Sequence, residues 1–537
     1  MLLSAGTFRI NTSISLPSNV VLRGAGADQT ILSPYGNSTA VIATAASEPS
    51  AGNAVNITGG STAGSQSIVV SSATNFSVGG YALITETNDP AYVSSTGSAG
   101  LCSWCDPPYN DNGNRARGQI VEVTSKVGTS IGIAPGLYSA YSRTPQAIPF
   151  AAGRKYAGVE SLQIYANNTG YSYNVLFDGC AYCWVKGIEG NYVDGNGDHV
   201  GIQFGYRDEV RDSYFSSAYV HSNGSTEDEV QLSFKSSGCL IENNILERLQ
   251  TAVNIGNGSA GNVVAYNLMT GGFDQGTRNL ASVGMLYTHG AHPQFNLAEG
   301  NVMPEVYTDA VWGTSSEFTS FRNWATGTSM TCNPLSGRAT VSCTGVNGNW
   351  QTQTSRAMQI DGLLTKANFV GNVVGSAQQT ALSISKVASL QWPASRSYDT
   401  AAYGWTWGYT STGDSGSNSL DNTNAYTTAF LHGNYNNIDA SLVWATGVTH
   451  TLPASFVHST KPAWFGNNSW PAIGPEVTAG SGPGGHTMVI PAQACYASMG
   501  GTEGGAGSPL KFNANNCYYA ASGDPPLSPT GLSATAQ

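Results

Sequence analysis

The segment THGAHPQFNLAEGN, residues 288–301, places His289, His292 and Glu299 within one short polar run. Imidazoles near a carboxylate are a common means of moving protons, because histidine titrates close to neutrality and an acid beside it can orient or charge it. Further acids stand at Asp198 in DGNGDH, Glu229 in STEDE, Asp309 in TDAVWG and Asp361 in QIDG. Hydrolysing a glycosidic bond calls for two carboxyl groups, one to protonate the leaving oxygen and one to activate water or attack carbon. Glu229, Asp309, His289 and Asp198 are therefore the candidate catalytic residues.

Such groups must be positioned by a scaffold, and the chain carries one as a repeat. GIEGNYV, VRDSYF, IENNIL, VAYNLM, AEGNVM, SFRNWA and FVGNVV align on Asn191, Ser213, Asn244, Asn267, Asn301, Asn323 and Asn372, at spacings of 22, 31, 23, 34, 22 and 49 residues. Short recurring units of this length are the signature of a solenoid, in which each coil buries its apolar face against the next. Three positions before the polar residue stand Ile188, Val210, Ile241 and Val264; one position after it stand Tyr192, Tyr214, Ile245 and Leu268. Both columns are expected to point inward, with the polar residue between them in a left-handed turn that asparagine tolerates. HVGIQF, EVQLSF, TAVNIG and RAMQID alternate apolar and polar residues with the period of a strand, so each coil should hold several short strands and the stacked coils parallel sheets.

On these features, and on GTFRINTSISLPSNVVLRGAGADQTIL with its Arg23-Gly24-Ala25-Gly26 turn, the chain resembles the right-handed parallel β-helix proteins of the pectin-lyase-like superfamily, in its pectate-lyase-like and polygalacturonase-like branches. Residues 1–45 and about 155–385 carry the pattern. The resemblance implies an all-β solenoid with a polysaccharide groove along one sheet, walled by the turns on either side. Residues 1–50 read as N-terminal coils, 51–150 as an inserted β subdomain, 151–450 as the main β-helix, 451–524 as an irregular capping tail and 525–537 as a linker. The opening MLLSAGTFRI enters a strand pattern at once, which suggests a start further upstream, and DPPLSPTGLSATAQ is similar to the lead-in of a fibronectin type III module.

The outward positions of the groove strand read His199 and Gln203, then Glu229, Gln231, Ser233 and Lys235, then Asn254, Thr288, Gln359 and Asp361. His289 and His292 are assigned to the turn after that strand. The substrate-binding candidates are Lys235, Arg278, His292, Trp312, Asn254 and Asp361; Trp312 could stack on a sugar or pack in the core. Glu299, like Glu189 and Glu242, falls two residues before the aligned polar residue, a strand position expected to face solvent, so it is read as structural. Hydrolysis by paired carboxylates requires no cofactor. The alternative is a calcium-dependent lyase, with Lys235 or Arg278 as the base and the cation neutralising a uronate. The motifs typical of calcium pectate lyases are absent, as is the full set of paired aspartates and the basic motif of polygalacturonases. A non-catalytic carbohydrate-binding or adhesion module is the reading from another class.

Composition narrows the partners. Lys+Arg 22 against Asp+Glu 33 gives a net charge of −11, against nucleic acid, and no run of eighteen apolar residues offers a membrane span. Nine cysteines in a chain of this kind point to an oxidising, secreted setting. Cys332–Cys343 and Cys495–Cys517 are expected to be disulfides. CSWC (Cys102, Cys105) and CAYC (Cys180, Cys183) are read as disulfides ahead of a zinc site, and Cys239 as a core thiol. A monomer whose ends are covered is expected, with no resident metal and a polysaccharide as its partner.

Overall fold

The computed structural model describes all residues except 45, 98, 167–169, 194–196, 219–228, 273–284, 328–355, 377–402, 410–421, 438–439, 477–481, 503–508 and 520–537. Short runs of β-branched and aliphatic residues, broken by Gly and Asn turns, each make one strand and hand on to the next. One coil runs through Leu240–Glu242, Ile245–Glu247 and Val253–Gly256; the next runs through Val263–Ala265, Leu268–Thr270 and Leu286–His289. Corresponding strands pair in parallel and build three long sheets, here called first, second and third in the order a coil visits them. This is the all-β, right-handed parallel β-helix that the resemblance implies. Among the described residues, no helix is long and apolar enough to cross a membrane.

Inside the solenoid, Val264, Met269 and Leu286 meet the equivalents from neighbouring coils in one continuous core. At the turn between first and second sheets, the side chains of the aligned asparagines stack. Asn267 Oδ1 accepts the backbone N–H of Asn244 at 2.9 Å, while Asn267 Nδ2 donates to Ile241 O at 2.9 Å and to Asn301 Oδ1 at 3.0 Å. The same exchange continues through Asn301, Asn323, Asn372 and Asn434. A second, shorter ladder of Asn262 and Asn296 occupies the turn that leads into the first sheet.

Three expectations about this register are corrected. The left-handed residue is the one before the ladder position, as at Asp212, Asn243, Tyr266 and Arg322 with φ of 53°, 57°, 57° and 52°. In the earlier coil that residue is Gly187, so Ile188 and not Asn191 holds the ladder place: its N–H donates to Ser213 Oγ, and Asn191 lies within a strand opposite Ser216. The apolar column after the ladder faces outward, because the strand alternates from there. Tyr214, Ile245, Leu268, Val302 and Val373 share a cluster with Phe465, Ile473, Ile490 and Phe512 of the C-terminal segment. That segment also removes Glu299 and Glu242 from solvent: Phe456 N–H donates to Glu299 at 2.8 Å, and His458 Nε2 lies 2.6 Å from Glu242 Oε1. Both glutamates are fully buried, contrary to the solvent-facing assignment.

Between residues 55 and 150 six antiparallel strands close into a small barrel with its own core of Ile68, Ile84, Val121 and Ile131. It docks on the solenoid through Tyr81, Leu83 and Ile148 against Phe204 and Tyr206. Cys102–Cys105 and Cys495–Cys517 are disulfides. Cys180 and Cys183 are free buried thiols instead of a bridge: Cys180 Sγ is hydrogen-bonded to Thr44 Oγ1 at 2.9 Å, and Cys183 Sγ faces the Ala181 carbonyl. Cys239 is also a free buried thiol, and Cys332 and Cys343 lie outside the described residues.

Replacing Asn267 by leucine would orphan the Asn244 N–H and the Ile241 carbonyl inside the wall, at a cost of about 2 to 4 kcal/mol. Denaturant unfolding of Asn267→Leu is expected to show this loss. A midpoint equal to that of the parent would remove the ladder's claim to hold the coils.

Candidate functional site

The outer face of the third sheet is positioned by strict register. Gln231, Asn254, Tyr287, Tyr307 and Gln359 occupy one column over successive coils. Two residues further along, Gly256 pairs with His289. Thr288 pairs with Thr308 and Thr308 in turn with Ile360, so the residues that follow them, Asp309 and Asp361, continue the column beyond His289. In the strand Leu286–His289, Leu286 enters the core, so Tyr287 and His289 turn outward and Thr288 does not. The outward assignment of Thr288 is thus corrected by one residue, and His289 ends the strand instead of lying in the turn.

Tyr287, His289 and Asp309 form a compact cluster. His289 Nδ1 lies 2.6 Å from Asp309 Oδ2 and 2.7 Å from the Tyr287 hydroxyl, and that hydroxyl also donates to Asp309 Oδ2. Asp309 is buried, with no partner for Oδ1 among the described residues, whereas the His289 side chain keeps 24% of its surface open. Burial works to lower the imidazole pKa, but the Asp309 charge and hydrogen bond outweigh it and hold His289 above its ordinary value. Tyr287 is pushed well up, by burial first and then by the charge of Asp309, and stays a hydroxyl donor.

Two more carboxylates flank this cluster. Asp361, one coil beyond Asp309, accepts from Tyr307 OH at 3.1 Å, Ala310 N–H at 3.3 Å and Gln359 Nε2 at 3.0 Å. Glu229, on the other side, accepts from Gln231 and Asn254 side chains, both at 2.9 Å, and its charge acts on His289. Glu229 and Asp309 are three coils apart along the sheet, roughly 14 Å at a rise of about 4.8 Å per coil. They stand on opposite sides of the imidazole and do not meet. Asp198 is buried at the start of the strand Asp198–Gln203, close enough to Tyr173 that its charge and that of Glu229 both act on that ring.

The remaining candidates part from the site. His292 is buried, with Nδ1 2.8 Å from Thr314 Oγ1 and Nε2 2.8 Å from Ser316 Oγ, and burial pulls its pKa down to about 3. Both ring nitrogens are committed to the turn, which leaves no atom for substrate. Lys235 is buried as well; its ammonium donates to the carbonyls of Cys105 and Pro107 at 3.2 and 3.0 Å. It fastens a loop and does not face the groove, and burial lowers its pKa to about 7, opposed by the Asp106 charge. Arg278 lies outside the described residues. Trp312 is partly buried against Val93, Cys102, Cys105 and Ala291, edge-on to Trp104. Among the described residues, no group of three or more His, Cys, Asp and Glu side chains is placed to hold a metal ion. Sequence reasoning missed Tyr287, Tyr307 and Trp104, although alternation from Leu286 would have singled out Tyr287.

No protein-family model matches the chain, and no curated protein matches it in sequence. Among solved structures it is similar to the tailspike protein gp49 of Pseudomonas phage LKA1, at 15% identity and a TM-score of 0.44 over 70% of this chain and 67% of that one. It is similar also to the Gp54 tailspike of Acinetobacter baumannii bacteriophage AP22, solved with a capsular saccharide, at 12% identity and a TM-score of 0.39 over 70% of this chain and 59% of that one. The A-module of Azotobacter vinelandii mannuronan C-5 epimerase AlgE4 matches at 11% identity and a TM-score of 0.28, over 70% of this chain and 79% of that one.

The two histidines should affect stability with opposite signs. His289, raised in the folded state, contributes stability that is complete below about pH 6.5 and fades as pH rises through its folded value. His292, depressed to about 3, contributes stability that is present above about pH 6.5 and lost as pH falls towards 3. The stability difference between parent and His289→Gln should therefore shrink with rising pH, and that between parent and His292→Gln should grow. Unfolding free energies measured from acid to alkaline pH that run parallel for the two variants would contradict these environments.

Proposed function

We propose that the chain is a carbohydrate-active enzyme that cleaves glycosidic bonds of an extracellular polysaccharide lying along the outer face of the third sheet. The observation that carries this reading is the His289–Asp309–Tyr287 cluster: a partly open imidazole, anchored by Nδ1 on a buried carboxylate, on a face otherwise lined by amide and acid side chains. Asp309 holds the ring and favours its charged form, and Nε2 is left to deliver or take a proton at the sugar.

Hydrolysis is the preferred route. The groups gathered on this face are carboxylates, which repel a polyuronate and suit a neutral chain better. His289 in its charged form supplies the proton to the leaving oxygen. With Asp309 committed to the ring, Asp361 on the next coil is the acid available to activate water or attack carbon. A second reading, elimination from a uronate, is favoured by one feature: an open Nε2 is also a competent base for a carbon-bound proton. Gln231, Asn254 and Gln359 would then receive the uronate, and any calcium dependence would appear on chelation.

The test is to incubate the protein with neutral and uronic polysaccharides, with calcium and then with chelator, following new reducing ends and the ultraviolet absorbance of an unsaturated product. Reducing ends without absorbance are expected; absorbance would replace hydrolysis by elimination, and silence in both would end the enzyme reading. His289→Ala should lower kcat by about 10²- to 10⁴-fold, the usual contribution of a proton-transfer group. With His289 acting as an acid, activity falls as pH rises through its pKa, and Asp309→Asn should move that fall to lower pH. A pH profile unmoved by Asp309→Asn would separate the carboxylate from the imidazole.

A further inference from the structure

Trp104 is 38% exposed, an unusual state for an indole that so many contacts hold in place. It sits between Cys102 and Cys105, which are disulfide-bonded to each other and fully buried. Lys235 Nζ binds the carbonyls of Cys105 and Pro107 from below, and the Ala291 N–H donates to Cys105 Sγ at 3.1 Å. The stem of Lys235 passes where glycines leave room: a Cβ on Gly118 or Gly258 would stand 2.7 or 3.0 Å from it. The same loop is strapped to the turn after Asp309, with Ala99 N–H donating to Val311 O at 2.8 Å and Ser94 N–H to Thr314 Oγ1 at 3.1 Å.

The result is a fixed aromatic corner beside the candidate acid. The Trp104 ring centroid lies 5.9 Å from that of His289 at an interplanar angle of 32°, and 6.1 Å from that of Trp312 at 74°. An exposed indole gains nothing for the fold from being held rigid. A rigid flat apolar face is what binding a ring requires, because contact area is gained there at little cost in ordering the side chain.

We propose that Trp104, with Trp312 as its side wall, forms a sugar-stacking subsite next to His289, supplied by the segment that leaves the barrel, and that it selects a pyranose presenting an unbroken C–H face. The subsite deepens the polysaccharide reading above and rests on it. Stacking beside the imidazole sets which ring of the chain stands at the bond to be broken, so Trp104 governs binding while His289 governs chemistry.

Cellohexaose, mannohexaose and hexagalacturonate, titrated into the full chain and followed by tryptophan fluorescence, provide the test, with turnover of the corresponding polymers measured in parallel. At least one should bind the parent, with the dissociation constant raised about tenfold in Trp104→Ala, the equivalent of roughly 1.4 kcal/mol, and largely recovered in Trp104→Phe. KM should rise more than kcat falls. Binding of none of the three to the parent, or equal binding by parent and Trp104→Ala, overturns the subsite. If the parent binds with the Trp104 dependence but cuts no polymer, the cleavage reading fails and the subsite stands. If Trp104→Ala cuts a polymer with unchanged KM, the subsite fails and the cleavage reading stands.

Discussion

One recurring bond organises this molecule: the amide side chain at the turn of one coil accepting the backbone N–H of the equivalent residue in the coil before. A buried turn N–H has no water to turn to, and an unpaired one is costly. The ladder satisfies each of them and ties each coil to its neighbour at a single register. Register in turn decides which side of a strand is outside, since a slip of one residue exchanges the two faces. Through that chain of consequences the turn asparagines, on one corner of the solenoid, determine that Tyr287 and His289 face out on another.

The outer surfaces of the coils meet different fates, and the carboxylates on them record it. On the first and second sheets Glu242, Glu247 and Glu299 are met by His458, Tyr496 and Phe456 of the C-terminal segment, each acid receiving partners from outside the solenoid. Arg322 secures that segment further, donating to the Pro453 and Ile473 carbonyls and pairing with Glu476. On the third sheet, among the described residues, Glu229, Asp309 and Asp361 take contacts from side chains and backbone of the coils themselves. A covering segment closes one set of acids; in the other, Asp309 holds an imidazole while Glu229 and Asp361 accept from amide side chains of the same face. This difference in how the same chemical group is satisfied is the physical ground for looking for chemistry on the third sheet.

The coil period and its asparagines were legible in the sequence because an apolar column at fixed offset leaves a pattern that needs no tertiary knowledge. The side on which each column lay was less so. Tyr214 and Ile245 look like core residues by type, and only the folded C-terminal segment reveals that they are buried from outside. Asn191 fits the pattern by type while Ile188 fits it by geometry, since Gly187 can take the left-handed turn wherever it falls. Of the candidate site, Glu229 and Asn254 were readable as side chains of one face, whereas His289 reads as a turn residue and only the folded strand sets it beside Asp309. Lys235 read as an open cation because strand alternation carries no information about a distant loop. The carbonyls that bury it belong to Cys105 and Pro107, 130 and 128 residues away in sequence. Trp104 escaped for the same reason, being delivered to the face by a segment outside the repeat.

His289 and His292, three residues apart in one tetrapeptide, show how far environment exceeds residue type. Both are histidines of the same short stretch, yet a carboxylate favours the charged form of one and burial the neutral form of the other. The neutral ring spans Thr314 and Ser316, whose backbones join Ser94 and Pro293, so it clamps the turn that also receives the inserted loop. Were it to ionise there, the clamp would carry an uncompensated buried charge, and the turn that receives the loop of Cys105 and Trp104 would loosen with it. The fixed geometry around His289 is thus maintained in part by a second imidazole that must not take up a proton. The imidazole proposed to transfer protons is held by a neighbour of the same chemistry whose titration burial pushes far down, and the separation of the two environments comes from a strand's alternation and a turn's burial.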